Sequence, residues 1–363
     1  MLETCITFNH KINVNSNKVS KFIEETLHKS IEPVSNLQVE EGWDKAISYF
    51  INHVPDRINN VRMHYLLHLQ SITGISSHER QIKIIDWLTK QFEKSNPDTL
   101  REGTAYCKFI FEMVEGHGLF PKYYKIFKPL HFDNAYNQKL IGLLIENNHL
   151  VIAKKYCDEQ IEHNFKEEYN ILYLKFLKEI YIIQKDEDAL AKVLAVLFPY
   201  TFDFDDYLFI SAKLPEEERK KWRTKILSRA RNASHGRSTA AIEFCFKLAD
   251  AEKNYRKMID YIDSYTPYRI ILKYFDGMAL ADKNNLLRTL LRKSDSYGWG
   301  LGYENEAKDK AYFPELFVLL KKYYGSEYLK SIITDAEKDR WHFRLNDLAV
   351  YVKQQLFTMQ IVK

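Results

Sequence analysis

Apolar residues recur at intervals of three and four along nearly the whole chain, and this spacing limits the possible folds more than any other feature. In one segment, Ile85, Leu88 and Phe92 fall on the same helical face. Such spacing is typical of amphipathic α-helices, whereas the alternation typical of half-buried strands is scarce. Ser76 and Glu79 match a capping box at the start of this segment. The pattern predicts an all-α fold.

Residues that form tight turns are scarce, which argues against folds that need many of them. The 363 residues include 12 glycines and 9 prolines, while 45% are hydrophobic, 28% are charged and 14% are aromatic. β-Sandwiches and Rossmann-type enzymes need many tight turns, and disordered chains lack this aromatic content. The length exceeds that of one ordinary core, so we expect two domains or one elongated array of repeats.

Cysteine spacing and apolar patterns predict a cytoplasmic protein without a membrane segment. Cys5, Cys107, Cys157 and Cys245 are at least 50 residues apart and form no CxC or CxxC pair. This spacing argues against a zinc module and against a disulfide framework. No stretch reaches about 18 apolar residues, and the N-terminal residues lack a signal-peptide pattern. The net charge of +4 predicts no global attraction to nucleic acid or membranes.

Three segments share one pattern, in which an apolar helix is followed by a polar turn and a second helix. They are residues 140–161, 177–198 and 242–262. In each segment a small or β-branched residue follows the first polar turn residue by six positions. The pairs are Asn147 and Ala153, Lys185 and Ala191, and Lys253 and Ile259. The recurrence predicts repeated helix hairpins.

The intervals between these turns fit a degenerate tetratricopeptide register. They are 38 and 68 residues, close to one and two periods of about 34. The copy between the second and third segments would turn near residue 219, where the sequence predicts a strong helix instead. We therefore expect an α-solenoid of stacked antiparallel helix hairpins with degenerate tetratricopeptide-like repeats. A pair of non-repetitive helical domains is the alternative.

The turn pattern also predicts how the chain is divided. Residues 1–125 are a helical region without a clear repeat, residues 126–296 carry the tetratricopeptide-like repeats, and residues 297–363 contain a Gly/aromatic loop and C-terminal capping helices. Whether residues 1–125 form a separate domain or an irregular start of the same stack stays open.

One part of the chain resembles the tetratricopeptide-like helical region of bacterial SWIM zinc-finger family proteins. The resemblance spans about residues 126–300 and is strongest in LPEEERKKWRTKIL (214–227) and AIEFCFKLADAEKNYRKMIDYI (241–262). A SWIM finger needs a CxC pair followed by a distant CxH, and this chain has neither. The resemblance therefore implies a fold and a scaffold-like role, without a zinc function.

These observations favour a non-catalytic scaffold that binds a protein or peptide on the concave face of the stack. Stacked hairpins leave such a face for extended partners, and the 24 tyrosines and 22 phenylalanines suit contact surfaces as well as cores. No GxSxG or phosphate-loop motif occurs, and no cofactor is predicted. An enzyme is not excluded.

A second hypothesis is a nucleic-acid-associated protein, because positive charge is concentrated between residues 219 and 237. This run contains eight basic residues and no acidic one, which is the charge pattern of phosphate contact. The residues predicted to bind a polyanion are Arg219, Lys221, Arg223, Lys225, Arg229 and Arg231. Cations near a helix C-terminus also have a simple electrostatic explanation, and an acidic protein partner is a further alternative.

Three other groups are candidates for contact or chemistry. Tyr297, Trp299 and Tyr303 alternate with three glycines and could form an aromatic contact loop. His64 and His68 have the i, i+4 spacing of a metal pair, but HExxH and a third ligand at motif spacing are absent, so we favour half-buried helix residues and predict no metal site. In DRWHFRLND (339–347), acid and base side chains lie without a paired nucleophile, which favours a terminal helix.

Overall fold

The structure is a computed structural model that describes residues 17–55, 60–94, 103–131, 133–235, 238–293, 309–338 and 346–358. All regular secondary structure in these ranges is helical, and they contain no strand. The predicted all-α class is therefore confirmed. None of the helices in the described ranges combines the length and the apolar character that crossing a bilayer requires.

The chain forms two compact units, Met1–Ile180 and Tyr181–Lys363. Nine helices begin in the described part of the first unit. They are α1 (Asn17–Ser35), α2 (Glu40–His53), α3 (Asn60–Ile75), α4 (His78–Lys94), α5 (Gly103–Gly116), α6 (Phe120–Tyr123), α7 (Asn134–Glu146), α8 (Leu150–His163) and α9 (Ile171–Gln184). The three regions predicted from sequence, which divide at residues 125 and 296, stay a prediction.

Nine further helices lie in the described part of the second unit. They are α10 (Glu187–Thr201), α11 (Phe204–Lys213), α12 (Glu216–His235), α13 (Thr239–Ala251), α14 (Tyr255–Ile259), α15 (Tyr268–Arg292), α16 (Phe313–Tyr324), α17 (Ser326–Lys338) and α18 (Asp347–Thr358). Within this unit α12 packs on α13, α13 on α14, and α14 on α15. Helices that are adjacent in sequence are thus adjacent in space.

Helix α4 shows how the apolar spacing becomes packing. Ile85, Leu88 and Phe92 are each about 1% exposed, as their spacing predicts. The predicted capping box is wrong, however. Helix α4 begins at His78, the hydroxyl of Ser77 accepts the N–H of Arg80, and the hydroxyl of Ser76 donates to the preceding turn. Ser76 directly follows the last residue of α3, and both its N–H and its hydroxyl bond back to that helix, so it does not cap α4.

Asn137 of α7 connects three segments of the first unit through its fully buried amide. Its Oδ1 accepts the N–H of Leu130 at 2.7 Å, and its Nδ2 donates to the carbonyl of Leu130 at 2.8 Å. Nδ2 also lies 3.0 Å from the hydroxyl of Tyr173 on α9. The Asn137 side chain therefore supplies hydrogen bonds to the backbone of the loop before α7, in the place of a backbone partner. Peptide groups that are buried need such partners.

At four places in the described residues a residue with positive φ closes a helix through the same pair of hydrogen bonds. These residues are Gly118, Asn148, Lys185 and Lys253. At Lys253, its own N–H donates to the carbonyl of Asp250, and the N–H of Asn254 donates to the carbonyl of Ala249. The other three turns have the same two bonds at equivalent positions, and all eight distances lie between 2.7 and 3.1 Å. This is the Schellman pattern, which satisfies carbonyls that a helix end leaves open.

Three of these turns fall in the three segments that the sequence predicts to share a pattern, and Gly118 adds a fourth. In the first segment the left-handed residue is Asn148, one position after the predicted turn residue Asn147. Ala153 and Ile259 are buried where the pattern predicts tight packing, whereas Ala191 is only half-buried. The copy near residue 219 does not form a turn, because that residue lies in the first turn of α12.

Candidate functional site

The basic segment predicted from sequence forms helix α12 of the second unit. The helix begins at Glu216, and the carbonyl of the preceding residue, Pro215, accepts the N–H of Arg219 at 2.8 Å. Glu216, Glu217 and Glu218 occupy the first turn. Their negative charges lie near the positive end of the helix dipole, which stabilises the start of the helix.

One side of α12 is buried in the core, and the remaining sides of the helix therefore face away from the core. Ile226 and Ala230 are 1% and 0% exposed, and half-buried Trp222 packs beside Phe198 with ring centroids 6.1 Å apart. Phe244 of α13 belongs to the same cluster. The apolar stripe formed by Trp222, Ile226 and Ala230 therefore orients the helix.

Three basic side chains form an exposed stripe on α12, which we call the basic stripe: Lys221, Lys225 and Arg229. All three are exposed, and none has an ion pair or hydrogen bond with any described residue. Their spacing of four residues corresponds to steps of about 6 Å along the helix axis. The stripe therefore presents three positive charges to solvent over roughly 12 Å.

The other predicted polyanion ligands of α12 have partners within the unit. Arg219 donates to the carbonyl of Leu214 at 3.2 Å. Arg223 makes a bidentate ion pair with Glu252, which raises the pKa of the Arg223 guanidinium above its usual value. The guanidinium of Arg231 lies 5.7 Å from the ring centre of Tyr261. The six predicted residues thus separate into three paired ones and the basic stripe.

A small cavity lies beside Arg231, between α12, α13 and the segment after α14. Its volume is about 30 Å³, which is room for one or two water molecules. Cys245 lines it and is 2% exposed, and burial raises the pKa of this thiol to about 12. A neutral buried thiol is a poor nucleophile, so the cavity does not activate Cys245 for nucleophilic attack.

The histidine pair of α3 is part of the packing in the first unit. His68 is 3% exposed, its ring lies 4.6 Å from that of Phe50 on α2, and its Nε2 is 3.4 Å from the hydroxyl of Ser30 on α1. Burial, with a smaller contribution from His28, lowers the pKa of His68 from 6.5 to about 4. His64 is half-buried one turn earlier. Among the described residues no group of three or more potential ligands could hold a metal ion.

Two other predicted regions fall largely outside the described residues. Tyr297, Trp299 and Tyr303 lie there, as do residues 339–345. The end of the second region is described: Asn346 is buried, donates to the carbonyls of Leu290 and Lys293, and accepts the N–H of Ala349. Helix α18 begins at Asp347, the last residue of this segment, so the terminal helix predicted over residues 339–347 falls largely outside the described residues and stays a prediction.

Two surfaces emerge that the sequence did not single out. Phe165 is 68% exposed between α8 and α9, and its ring lies 5.3 Å from that of Tyr169. A groove between α2 and α4 is lined by Trp87, Lys90 and Lys94. The i, i+3, i+7 spacing of these three residues could have indicated a shared face, but the opposite wall comes from a distant helix.

No protein-family model, curated protein or solved structure matches the chain. The resemblance to the helical region of SWIM zinc-finger family proteins stays a prediction.

Proposed function

We propose that this chain is a non-catalytic scaffold, an α-solenoid of degenerate tetratricopeptide-like hairpins that binds a protein or peptide segment on its concave face. The recurring left-handed turn is the observation that carries the proposal. One pattern of hydrogen bonds closes the helix at Gly118, Asn148, Lys185 and Lys253. These residues are 30, 37 and 68 apart, near one or two periods of about 34.

Local packing also supports repeated hairpins. Helices α7 and α8 pack on each other across the turn at Asn148, and α13 and α14 do so across the turn at Lys253. In repeat proteins each structural unit contacts mainly its neighbours in sequence, and stacking buries a continuous core. A cytoplasmic location fits the three described cysteines, which are buried and form no disulfide with one another.

Affinity capture tests the scaffold function. The tagged chain is incubated with lysate from its own cells, half of it treated with nuclease, and retained proteins are identified and then tested as purified components. We expect one discrete protein that is retained in both halves and binds the purified chain without being chemically changed. Retention of nothing, or turnover of the retained protein, would contradict the scaffold function.

The basic stripe favours nucleic acid as a second candidate partner. Lys221, Lys225 and Arg229 are exposed and unpaired among the described residues, whereas their basic neighbours on α12 have partners. Cations that release counterions from phosphates give an affinity that falls steeply with salt. Three contacts predict a slope of log affinity against log salt of about −2 for a single strand.

Charge reversal separates the two candidates. The variant K221E/K225E/R229E should lose nucleic-acid binding and its salt slope if the stripe contacts phosphates. The matched control K192E/K247E/R288E makes the same charge change at exposed residues of the second unit that have no partner among the described residues. Equal loss in both variants would indicate a general charge effect, and unchanged affinity in the first would exclude the stripe.

A further inference from the structure

The groove between α2 and α4 has the features of a preformed binding site. It has a volume of about 190 Å³ and is open to solvent. Six of the residues that line it, three from each helix, are Ser48, Ile51, Asn52, Trp87, Lys90 and Lys94. Ile51 is 2% exposed and supplies an apolar floor. Because both walls are helices, the groove does not depend on a flexible loop for its shape.

Trp87 of the groove is held in place by two neighbouring side chains, Trp43 and Lys83. Its centroid lies 6.2 Å from that of Trp43, and the ammonium of Lys83 lies 5.0 Å from it. Lys83 is itself held by Asp44 at 2.5 Å and by Glu40 at 3.4 Å. These contacts order the half-buried indole before any partner binds, which lowers the entropy cost of binding.

The two lysines give the groove its charge. Lys90 and Lys94 are exposed and have no ion pair or hydrogen bond among the described residues, in contrast to Lys83. No described residue that lines the groove is acidic. Trp87, Lys90 and Lys94 lie within an arc of about 60° on α4, so both ammonium groups lie on the side that carries the indole.

We propose that this groove binds an acidic peptide segment of a partner protein, with an apolar residue against Trp87 and carboxylates on Lys90 and Lys94. The two lysines are about 6 Å apart along the helix axis. Alternate residues of an extended peptide are about 7 Å apart and point to the same side. The geometry therefore fits an apolar residue followed by acidic residues two and four positions later.

A peptide fits the groove better than a nucleic acid does. Single strands bind through successive open aromatic rings on which bases stack. Here Trp87 is the only aromatic side chain that lines the described groove, and Lys83 and Trp43 lie against its ring. The assignment of this ligand rests on the proposed function in one respect, because the ligand is part of a partner protein.

Fluorescence anisotropy with three labelled peptides tests the groove on the full chain. The probes are GSLSESEGS, GSLSEESGS and GSLSQSQGS, which differ in the spacing and in the presence of the acidic residues. We expect the first to bind most tightly and the uncharged third most weakly. The variant K90E/K94E should bind the first probe about ten-fold more weakly or worse, because attraction becomes repulsion. Trp87→Ala should weaken all three probes.

The control K29E/K175E makes the same charge change at two exposed lysines of the first unit that have no partner among the described residues. It should bind the first probe like the parent. The groove assignment is overturned if K90E/K94E also binds like the parent, if the spacing of the acids has no effect, or if a 12-residue oligothymidine competes with the first probe at lower concentration than the unlabelled peptide does.

A partner identified by affinity capture separates this assignment from the scaffold function. If that partner binds K90E/K94E as tightly as the parent, the groove is not its site and the scaffold function stands. If no protein is retained by the parent chain, the scaffold function fails, whereas the probe titrations still report on the groove itself.

Discussion

Replacing His68 with leucine should remove part of the pH dependence of stability. In the folded chain, burial among Phe50 and Ser30 keeps the imidazole neutral, and its pKa is lowered from 6.5 to about 4. The unfolded chain takes up this proton near pH 6.5, but the folded chain does so only near pH 4. The stability that neutral His68 contributes is therefore fully present above the unfolded pKa and is lost as the pH falls toward the folded pKa.

The magnitude follows from the shift. One pKa unit corresponds to about 1.4 kcal/mol, so the loss between about pH 7.5 and about pH 5 is roughly 2 kcal/mol. His68→Leu cannot take up the proton, and its free energy of unfolding should depend less on pH by this amount. Its stability near neutral pH should change by about 1 kcal/mol or less, because leucine has a similar volume and the buried Nδ1 has no hydrogen-bond partner among the described residues.

Urea unfolding at the two pH values, followed by circular dichroism, measures this difference. The exposed His163 provides a matched control, because His163→Leu also replaces one imidazole with leucine. Equal pH dependence of the unfolding free energy in the parent and in His68→Leu would refute the inference that buried, neutral His68 makes the folded chain less stable at acid pH. A large loss of stability in His68→Leu near neutral pH would show that its polar contacts matter more than its burial.

Three further substitutions test other features. Asn137→Ala should destabilise the first unit by about 2–4 kcal/mol, because the N–H of Leu130 loses its partner and the carbonyl of Leu130 keeps only the N–H of Asp133. Hydrogen exchange should locate the loss of protection, and a change in unfolding free energy under about 1 kcal/mol would contradict this prediction. Lys253→Gly should raise the free energy of unfolding by about 1 kcal/mol in thermal or urea unfolding, since glycine adopts φ 53° without strain. A lower free energy of unfolding would argue against the left-handed turn. Asp133 pairs with Lys108, and this pair together with a backbone N–H lowers the pKa of the Asp133 carboxyl. The stability that the ionised carboxyl contributes is present above the unfolded pKa and is lost as the pH falls. Asp133→Asn should therefore make the unfolding free energy depend less on pH below about pH 4 in acid unfolding curves.

Patterns within short segments of the sequence predicted buried helix faces and most of the turns discussed above. The spacing of apolar residues predicted that Ile226 and Ala230 of α12 are buried, and the acidic residues before them agreed with the start of the helix. Turn chemistry located Lys185 and Lys253 correctly. At the first turn two consecutive asparagines both suit a left-handed residue, and only the hydrogen bonds distinguish Asn148 from its neighbour.

The remaining features depend on contacts between helices that are distant in sequence. The turn at Gly118 was not included in the predicted repeat pattern, because the helix after it is only four residues long and leaves no periodic pattern. The ion pair of Arg223 joins α12 to Glu252, which lies 29 residues later in the turn after α13, so the charge run alone could not show that this guanidinium has a partner. The groove at Trp87 needs α2 as its second wall, and spacing within α4 carries no information about that wall.

The left-handed turns also bear on how chains of this kind change length during evolution. Each turn satisfies its own carbonyls within six residues, so its hydrogen bonds need no other part of the chain. A gain or loss of the segment between two such turns would leave the bonds at both ends intact. We therefore expect homologous chains to differ in length by whole helix pairs, with single-residue insertions confined to the turns that lack this bonding, such as the one before α12.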